Sequence, residues 1–162
     1  MRTMNDPATD HELVITRLFD APRELVFRCW TEPDHLAEWW GPTGFTAPSV
    51  TVNATDGGTW RTCMRDTESG REYWASGVYL EIVPPERLVF SFRWDRREDQ
   101  PVEDTLVTIT FAERDGKTEM TFHQSGFATV ASRDGHAEGW TETFDDLHGY
   151  VRRGRSSETY ES

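Results

Sequence analysis

The sequence predicts an α+β fold in which a curved antiparallel sheet wraps around a long C-terminal helix, with two short helices after the first strand. Three observations carry this prediction. A period of two, typical of half-buried strands, dominates from Phe45 to Phe122. An apolar stripe at the 3.6-residue period follows, from Gly135 to Arg153. Residues 22–40 carry two short helical patterns.

The first elements are marked by their end signals. Residues 12–19 form a strand that is apolar on both faces, and Asp20-Ala21-Pro22 then opens a helix, since proline costs nothing where no N–H partner exists. Leu25, Val26, Cys29 and Trp30 share one face of this helix, with Phe27 at its edge. Thr31 is expected to cap the second helix, which has Pro33 in its first turn and places Leu36, Trp39 and Trp40 on one face before Gly41-Pro42 stops it.

Six strands with short turns follow the helices. The first is centred on residues 49–54 and turns at Asp56-Gly57-Gly58. Residues 73–83 are apolar on both faces, so the pattern leaves open which face looks inward. The other four strands alternate with one apolar face each, formed by Trp60, Thr62 and Met64; Leu88, Phe90, Phe92 and Trp94; Val107, Ile109 and Phe111; and Met120 with Phe122. Such a succession predicts an antiparallel sheet.

The long C-terminal helix is amphipathic. Its apolar stripe needs an apolar partner, and the only surface of sufficient length is the inner face of the sheet. The members of this stripe are His136, Trp140, Thr143, Phe144, Leu147, Tyr150 and Val151.

Length and composition predict one domain in a reducing compartment. The chain has 162 residues, of which 36% are hydrophobic, enough for a core without metals or disulfides. We expect a single domain over residues 11–153, with flexible polar segments at 1–10 and 154–162. Cys29 and Cys63 lie in apolar segments and are expected to be buried free thiols, which favours a cytoplasmic protein.

Charge and hydropathy exclude several partners. The formal net charge is -12, so the surface repels nucleic acid and anionic head groups. Mean hydropathy is -0.69, and neither a membrane span nor a secretory signal is predicted. Residues 95–104, the most charged stretch, indicate a solvated loop between strands or, alternatively, a mobile flap over a pocket.

Several segments, taken together, resemble one family. They are residues 15–27, 30–33, 36–42, 57–61, 77–90 and 135–140, in the same order and spacing. The chain resembles the bacterial proteins named after the activator of heat-shock protein 90 ATPase, within the START/Bet v 1-like (SRPBCC) superfamily, over about residues 12–153. The resemblance implies a helix-grip fold whose sheet and long helix enclose a cavity, with the two short helices near its mouth. It also implies relatives that bind lipids, hormones and polyketides, and a few that catalyse reactions in the cavity.

The aromatic content favours a ligand cavity. Seven Trp, nine Phe and four Tyr suit the wall of a pocket for flat apolar molecules better than a solid small core, although each ring taken alone is also a core candidate. Trp39 is interpreted as structural, whereas Trp40 fits the core and the ligand rim equally. The candidate ligand-binding residues are Trp40, Trp60, Met64, Tyr79, Phe92, Trp94, Phe122, Gln124, His136, Trp140 and Phe144. Among them His136, Tyr79 and Gln124 would orient the ligand.

No catalytic or metal-binding constellation is present in the sequence, and no cofactor is predicted. The predicted function is binding of a hydrophobic, aromatic or lipid-like small molecule. One alternative is a cyclase, dehydratase or hydrolase acting on a polyketide-like substrate, with His136 or a cavity carboxylate as acid or base. The other is co-chaperone-like stimulation of a heat-shock ATPase, which the resemblance suggests by analogy only and which we do not favour. We expect no nucleic-acid partner and no membrane insertion, and a homodimer is left open.

Overall fold

Seven antiparallel strands form one sheet in the order β1-β7-β6-β5-β4-β3-β2. The structure, a computed structural model, describes residues 11–95 and 102–161, with side chains as far as Arg153. The strands are β1 (Glu12–Phe19), β2 (Phe45–Val52), β3 (Thr59–Asp66), β4 (Glu72–Val83), β5 (Arg87–Trp94), β6 (Thr105–Arg114) and β7 (Lys117–Ser125). The helices are α1 (Arg23–Thr31), α2 (Pro33–Trp39) and α3 (Val130–Glu161). The predicted fold class and element order are confirmed.

The junction between α1 and α2 differs from the prediction. Thr31 belongs to the last turn of α1, and its hydroxyl donates to the Phe27 carbonyl one turn earlier, at 3.3 Å. Glu32 holds the extended N-cap position of α2, with Pro33 directly after it. The expectation that Thr31 caps α2 is therefore wrong, because a threonine hydroxyl can satisfy a carbonyl behind it as readily as an N–H ahead of it.

The pairing of β3 with β4 settles which face of β4 looks inward. Gly77 lies opposite Trp60, and Tyr73 lies opposite Met64, so Tyr73, Ala75, Gly77 and Tyr79 face the interior. A Cβ atom on Gly77 would stand 1.8 Å from the Ser91 carbonyl oxygen and 2.5 Å from Trp60 Nε1. Glycine is therefore required here, since only its bare backbone lets the Trp60 indole cross the strand and donate to the Ser91 carbonyl at 3.2 Å.

The long helix α3 begins at Val130, five residues before the predicted start, and runs to Glu161, beyond the predicted end. Its first turn is capped from a distant part of the chain. Glu103 accepts hydrogen bonds from the Ala128 N–H at 2.5 Å and from the Ser132 hydroxyl at 2.7 Å, and Thr129 Oγ1 accepts from the Ser132 N–H at 3.0 Å. These bonds satisfy groups that a helix start otherwise leaves without partners.

The core lies between α1, α2, α3 and the concave face of the sheet, with Trp30 at its centre. Its indole contacts six other aromatic rings, the nearest being Trp39 at a centroid distance of 4.8 Å. Cys29 and Cys63 are buried free thiols, as predicted. Gln124 points into the core and His123 points outward to Glu12, because neighbouring residues of a strand lie on opposite faces of the sheet.

Some expectations fall on parts of the chain outside the described residues. These are the flexibility of residues 1–10 and most of the charged stretch 95–104, of which Asp95 and residues 102–104 are described. Within the described residues, none of the helices combines the length and the apolar character that crossing a bilayer requires.

Candidate ligand-binding cavity

A cavity of about 650 Å³ lies between α3 and the concave face of the sheet. Its inner end is formed by the buried rings of Trp40, Phe92 and Trp140. Its outer end is bordered by exposed residues of the segment that leads into α3, Ala128 and Thr129. The volume falls within the range of ordinary small-molecule sites, and the lining is mostly apolar.

Six of the eleven candidate residues line this cavity. They are Trp40, Met64, Phe92, Trp94, His136 and Trp140. They come from the end of α2, from β3 and β5, and from α3, so the fold brings together residues that are up to a hundred positions apart. They remain candidates for ligand contact.

The other five candidates lie deeper in the molecule. Trp60 and Tyr79 border a second void of about 10 Å³, the size of one water molecule, on the far side of Trp40. Phe122, Phe144 and Gln124 have no exposed surface and pack in the core. The physical reason is the same for all five: strand or helix periodicity sets the face on which a side chain lies, but not its distance from the mouth.

Gln124 takes part in a buried chain of hydrogen bonds. Trp140 Nε1–H donates to Gln124 Oε1 at 2.8 Å, and Gln124 Nε2 donates to Thr105 Oγ1 at 2.9 Å. The Thr105 hydroxyl then donates to the Phe92 carbonyl at 2.8 Å. Both polar ends of the Gln124 amide are therefore used to join α3, β7, β6 and β5.

The adjacent tryptophans Trp39 and Trp40 have different surroundings. Trp39 is the last residue of α2, and its indole donates to the Cys29 carbonyl at 3.0 Å. Trp40 is the C-cap, where the backbone turns extended at φ -70° and ψ 127°, and Gly41 follows with a φ of +105°. Because the chain leaves the helix between them, Trp39 packs into the core while Trp40 borders the cavity.

His136 and Trp94 form a hydrogen-bonded pair in the cavity wall. The Trp94 indole N–H lies 2.9 Å from His136 Nε2, and His136 Nδ1 lies 2.8 Å from the Ser132 carbonyl oxygen. An indole N–H can only donate, so Nε2 is the acceptor, and Nδ1 carries the proton and donates a hydrogen bond to the Ser132 carbonyl. His136 lies in the second turn of α3, not the first as predicted, because the helix begins earlier.

Two carboxylates border the cavity. Asp95 accepts two hydrogen bonds from Arg61, at 3.0 and 2.8 Å, and this guanidinium holds the pKa of the carboxyl below its ordinary value. Glu103 is the carboxylate that caps the start of α3. Lysine and arginine are absent from the cavity lining that the described residues form.

Sequence reasoning missed several lining residues. Phe45, Tyr73, Glu103 and Thr143 line the cavity but were not among the candidate ligand-binding residues. Thr143 belongs to the predicted helix stripe, Glu103 to the charged stretch, and Tyr73 to the strand whose orientation was open. Two glycines inside the predicted helical stripe, Gly135 and Gly139, were the available signal, since glycine is unfavourable within a helix. A Cβ atom on either one would meet no atom within 4 Å.

The described residues hold no group of three His, Cys, Asp or Glu side chains that could bind a metal ion. The described part of the site consists of apolar rings, side chains joined to one another by hydrogen bonds, and two carboxylates.

Comparison with known proteins identifies relatives of this fold. Residues 20–152 match the family model described as Activator of Hsp90 ATPase homolog 1-like protein. None of the curated proteins matches the chain.

Solved structures share the architecture. A protein from Chromobacterium violaceum is 28% identical, with a TM-score of 0.79 over 87% of this chain and 97% of the other. A protein from Rhizobium leguminosarum is 26% identical, with a TM-score of 0.75 over 88% and 94%. The AHSA1 protein from Silicibacter pomeroyi is 24% identical, with a TM-score of 0.78 over 88% and 99%, a likeness in fold alone.

Proposed function

Because this chain belongs to the Activator of Hsp90 ATPase homolog 1-like family and carries a cavity lined by aromatic rings, we propose that it binds an apolar small molecule there. The superfamily resemblance stated above supports this reading, since relatives of the same fold hold hydrophobic ligands between sheet and long helix. Transfer of flat apolar surface from water onto Trp40, Phe92 and Trp140 would supply the binding free energy.

The observation that carries the proposal is the pair of glycines on α3. A glycine inside a helix costs up to about 1 kcal/mol relative to alanine. Close packing often explains such a glycine, but here a Cβ atom at position 135 or 139 would enter open space in the cavity. The two glycines widen the cavity and lower the stability of the helix. A protein that did not use this space would gain stability from alanine at both positions.

A cavity-filling variant tests the proposal. The probe is the uncharged dye N-phenyl-1-naphthylamine, whose fluorescence rises on binding to apolar sites. In Gly139→Leu the new Cβ meets no atom within 4 Å and the side chain takes up cavity space. We therefore expect the protein to fold and the dye affinity to fall by about tenfold or more.

The matched control is Gly149→Leu on the same helix. Gly149 does not line the cavity, and its Cβ would meet only the end of the flexible Arg153 side chain, at 3.3 Å. We expect this variant to bind the dye as the parent protein does. Equal dye affinity in Gly139→Leu and the parent, with both folded by circular dichroism, would overturn the proposal.

An acid–base reaction is not part of the proposal. Both ring nitrogens of His136 already have partners, Trp94 and the Ser132 carbonyl, so neither is free to move a proton to or from a ligand.

A further inference from the structure

All seven tryptophans lie within the described residues, and most of their indole N–H groups donate a hydrogen bond inside the protein. Four donate within the protein: Trp39 to the Cys29 carbonyl, Trp60 to the Ser91 carbonyl, Trp94 to His136 and Trp140 to Gln124. Trp74 lies on the outward face of β4, with the Arg61 guanidinium over its ring, and does not line the cavity. The remaining two are Trp30 and Trp40. Buried N–H groups rarely lack a partner, so each of these two needs an explanation.

Trp30 and Trp40 differ in access. Trp30 Nε1 is sealed inside the aromatic core with no partner. Trp40 is 6% exposed, borders the cavity, and has no hydrogen-bond partner for its indole among the described residues. Its Nε1 is not one of the sealed polar atoms, so this N–H is open to a partner from outside the protein.

Several other donors in the cavity wall are already used. The Trp94 N–H and the His136 Nδ1–H have the partners given above, the Ser132 hydroxyl donates to Glu103, and the Thr143 hydroxyl donates to the Gly139 carbonyl at 2.8 Å. The Thr129 hydroxyl accepts a hydrogen bond from the Ser132 N–H and can still donate one, but Thr129 is exposed at the outer end of the cavity. Among the tryptophan, histidine, serine and threonine side chains of the described wall, the Trp40 N–H is the donor left for a ligand at the inner end.

The charges of the wall determine which acceptor can bind. An anionic ligand group needs a basic side chain or a free helix N-terminus. No basic side chain lines the part of the cavity that the structure describes. The nearby Arg61 is paired with Asp95, and Arg71 lies over the Tyr73 ring, 5.7 Å from its centre. The Glu103 carboxylate lies beside the first turn of α3, bonded to the Ala128 N–H and the Ser132 hydroxyl, so its negative charge opposes an anion there. A carboxylate would therefore lose its hydration without compensation.

We infer that the cavity binds an uncharged aromatic molecule with a carbonyl or ether oxygen at its inner end, which accepts a hydrogen bond from Trp40 Nε1–H. This inference rests on the proposed function and deepens it, because it names the ligand class and the residue that selects it. The same features disfavour fatty acids and aromatic carboxylates, since the described part of the wall offers no group that compensates their charge.

Three probes of one skeleton test the inference by displacement of N-phenyl-1-naphthylamine. They are 2-acetylnaphthalene, which carries the acceptor; 2-isopropylnaphthalene, with the same number of heavy atoms and no acceptor; and 2-naphthoate, which is charged. The measured quantity is the ratio of ketone to hydrocarbon affinity within one variant, since this ratio does not depend on the folded fraction.

Two variants each remove one indole from the cavity wall. In Trp40→Phe the ketone-to-hydrocarbon ratio should fall by roughly two- to tenfold, the effect of one neutral hydrogen bond. In Trp94→Phe, the matched control, the ratio should stay unchanged, because the N–H of Trp94 is committed to His136. The parent protein should bind 2-naphthoate far more weakly than the ketone.

A second readout needs no substitution. In a ¹⁵N-labelled protein the indole N–H resonance of Trp40 should move downfield with 2-acetylnaphthalene and should not do so with 2-isopropylnaphthalene. An unchanged ratio in Trp40→Phe, or naphthoate binding as tight as ketone binding, overturns the inference and leaves the cavity-binding proposal standing. If neither the dye nor any probe binds the parent protein, both fail together.

Discussion

Single residues decide what the neighbouring indoles Trp39 and Trp40 do. The two are adjacent in sequence, yet one donates into the core and the other is left without a protein partner. Sequence reasoning could predict the asymmetry of roles but not its cause, which is that the helix ends between them and Gly41 takes a left-handed φ. A periodicity argument treats both as helical and places them on one face.

Substitution of each indole by phenylalanine should separate the two roles. Both variants lose similar ring area, but only Trp39→Phe also breaks a buried hydrogen bond. We expect Trp39→Phe to lower the free energy of unfolding by about 1 kcal/mol more than Trp40→Phe does. Urea denaturation followed by circular dichroism measures the difference, and equal losses would show that the bond to Cys29 contributes nothing.

Tyr79 should lower the stability of the protein at alkaline pH. Burial raises the pKa of its hydroxyl above the ordinary value of 10.0. The folded state therefore holds this proton more tightly than the unfolded state does. Stability should be unaffected by Tyr79 below about pH 10 and should fall as the pH rises above it, by up to about 1.4 kcal/mol per pH unit, because the unfolded chain ionises first.

The Tyr79→Phe variant isolates this contribution, since it keeps the ring and removes the titrating group. The stability difference between parent and variant should be constant from pH 7 to about pH 9.5 and should move in favour of the variant at higher pH. Parallel pH profiles of the two proteins would contradict the assignment.

At the scale of elements, the strands were predictable and the limits of the helices were not. Alternation along β3, β5, β6 and β7 depends only on the sheet having one buried face, so the pattern is legible in the sequence. The start of α3 depends instead on Glu103, which lies 27 positions before Val130 and stabilises a polar first turn. No local signal reports a cap supplied from so far away.

The same limit applies to the candidate site. Phe92 and Trp94 line the cavity while Phe122 and Phe144 do not, although all four follow the expected apolar pattern. Distance from the mouth depends on how the sheet curls around α3, and hence on contacts between many strands. Gly135 and Gly139 are the lining residues that the sequence could have indicated. A glycine lowers the stability of a helix, so its presence there suggests a role in the cavity.

Alanine at the two α3 glycines should stabilise the protein. In Gly135→Ala with Gly139→Ala the helix gains up to about 1 kcal/mol at each position, because neither methyl group meets another atom. Gly77→Ala is the opposite case, since its methyl group would overlap the Ser91 carbonyl, and it should destabilise the fold strongly. Thermal unfolding checks both, and a destabilised double alanine variant would show that the cavity is closed in solution.

At the scale of the whole molecule, the net charge of -12 opposes folding by self-repulsion. The surface ion pairs, such as Arg93 with Asp104, are exposed and contribute little individually. Screening should therefore stabilise the protein overall, even though it weakens each pair.

Salt titration at two pH values tests this balance. At pH 7 the melting temperature should rise as NaCl increases from about 20 mM to about 300 mM, a range over which the Debye length shortens severalfold. Near pH 4.8, where the net charge approaches zero, the rise should vanish. A melting temperature that falls with salt at pH 7 would show that the ion pairs outweigh the repulsion.

The ring cluster around Trp30 also has an optical consequence. Among Trp30, Trp39, Trp40 and Trp140, five of the six pairs have ring centroids 4.8 to 6.4 Å apart. Indoles at such separations exchange excitation energy before they emit, so light absorbed by any one of them samples the others. Because Trp40 borders the cavity, a quenching molecule beside that single ring would dim the emission of the whole group, and the protein would report the occupancy of its own cavity without a label.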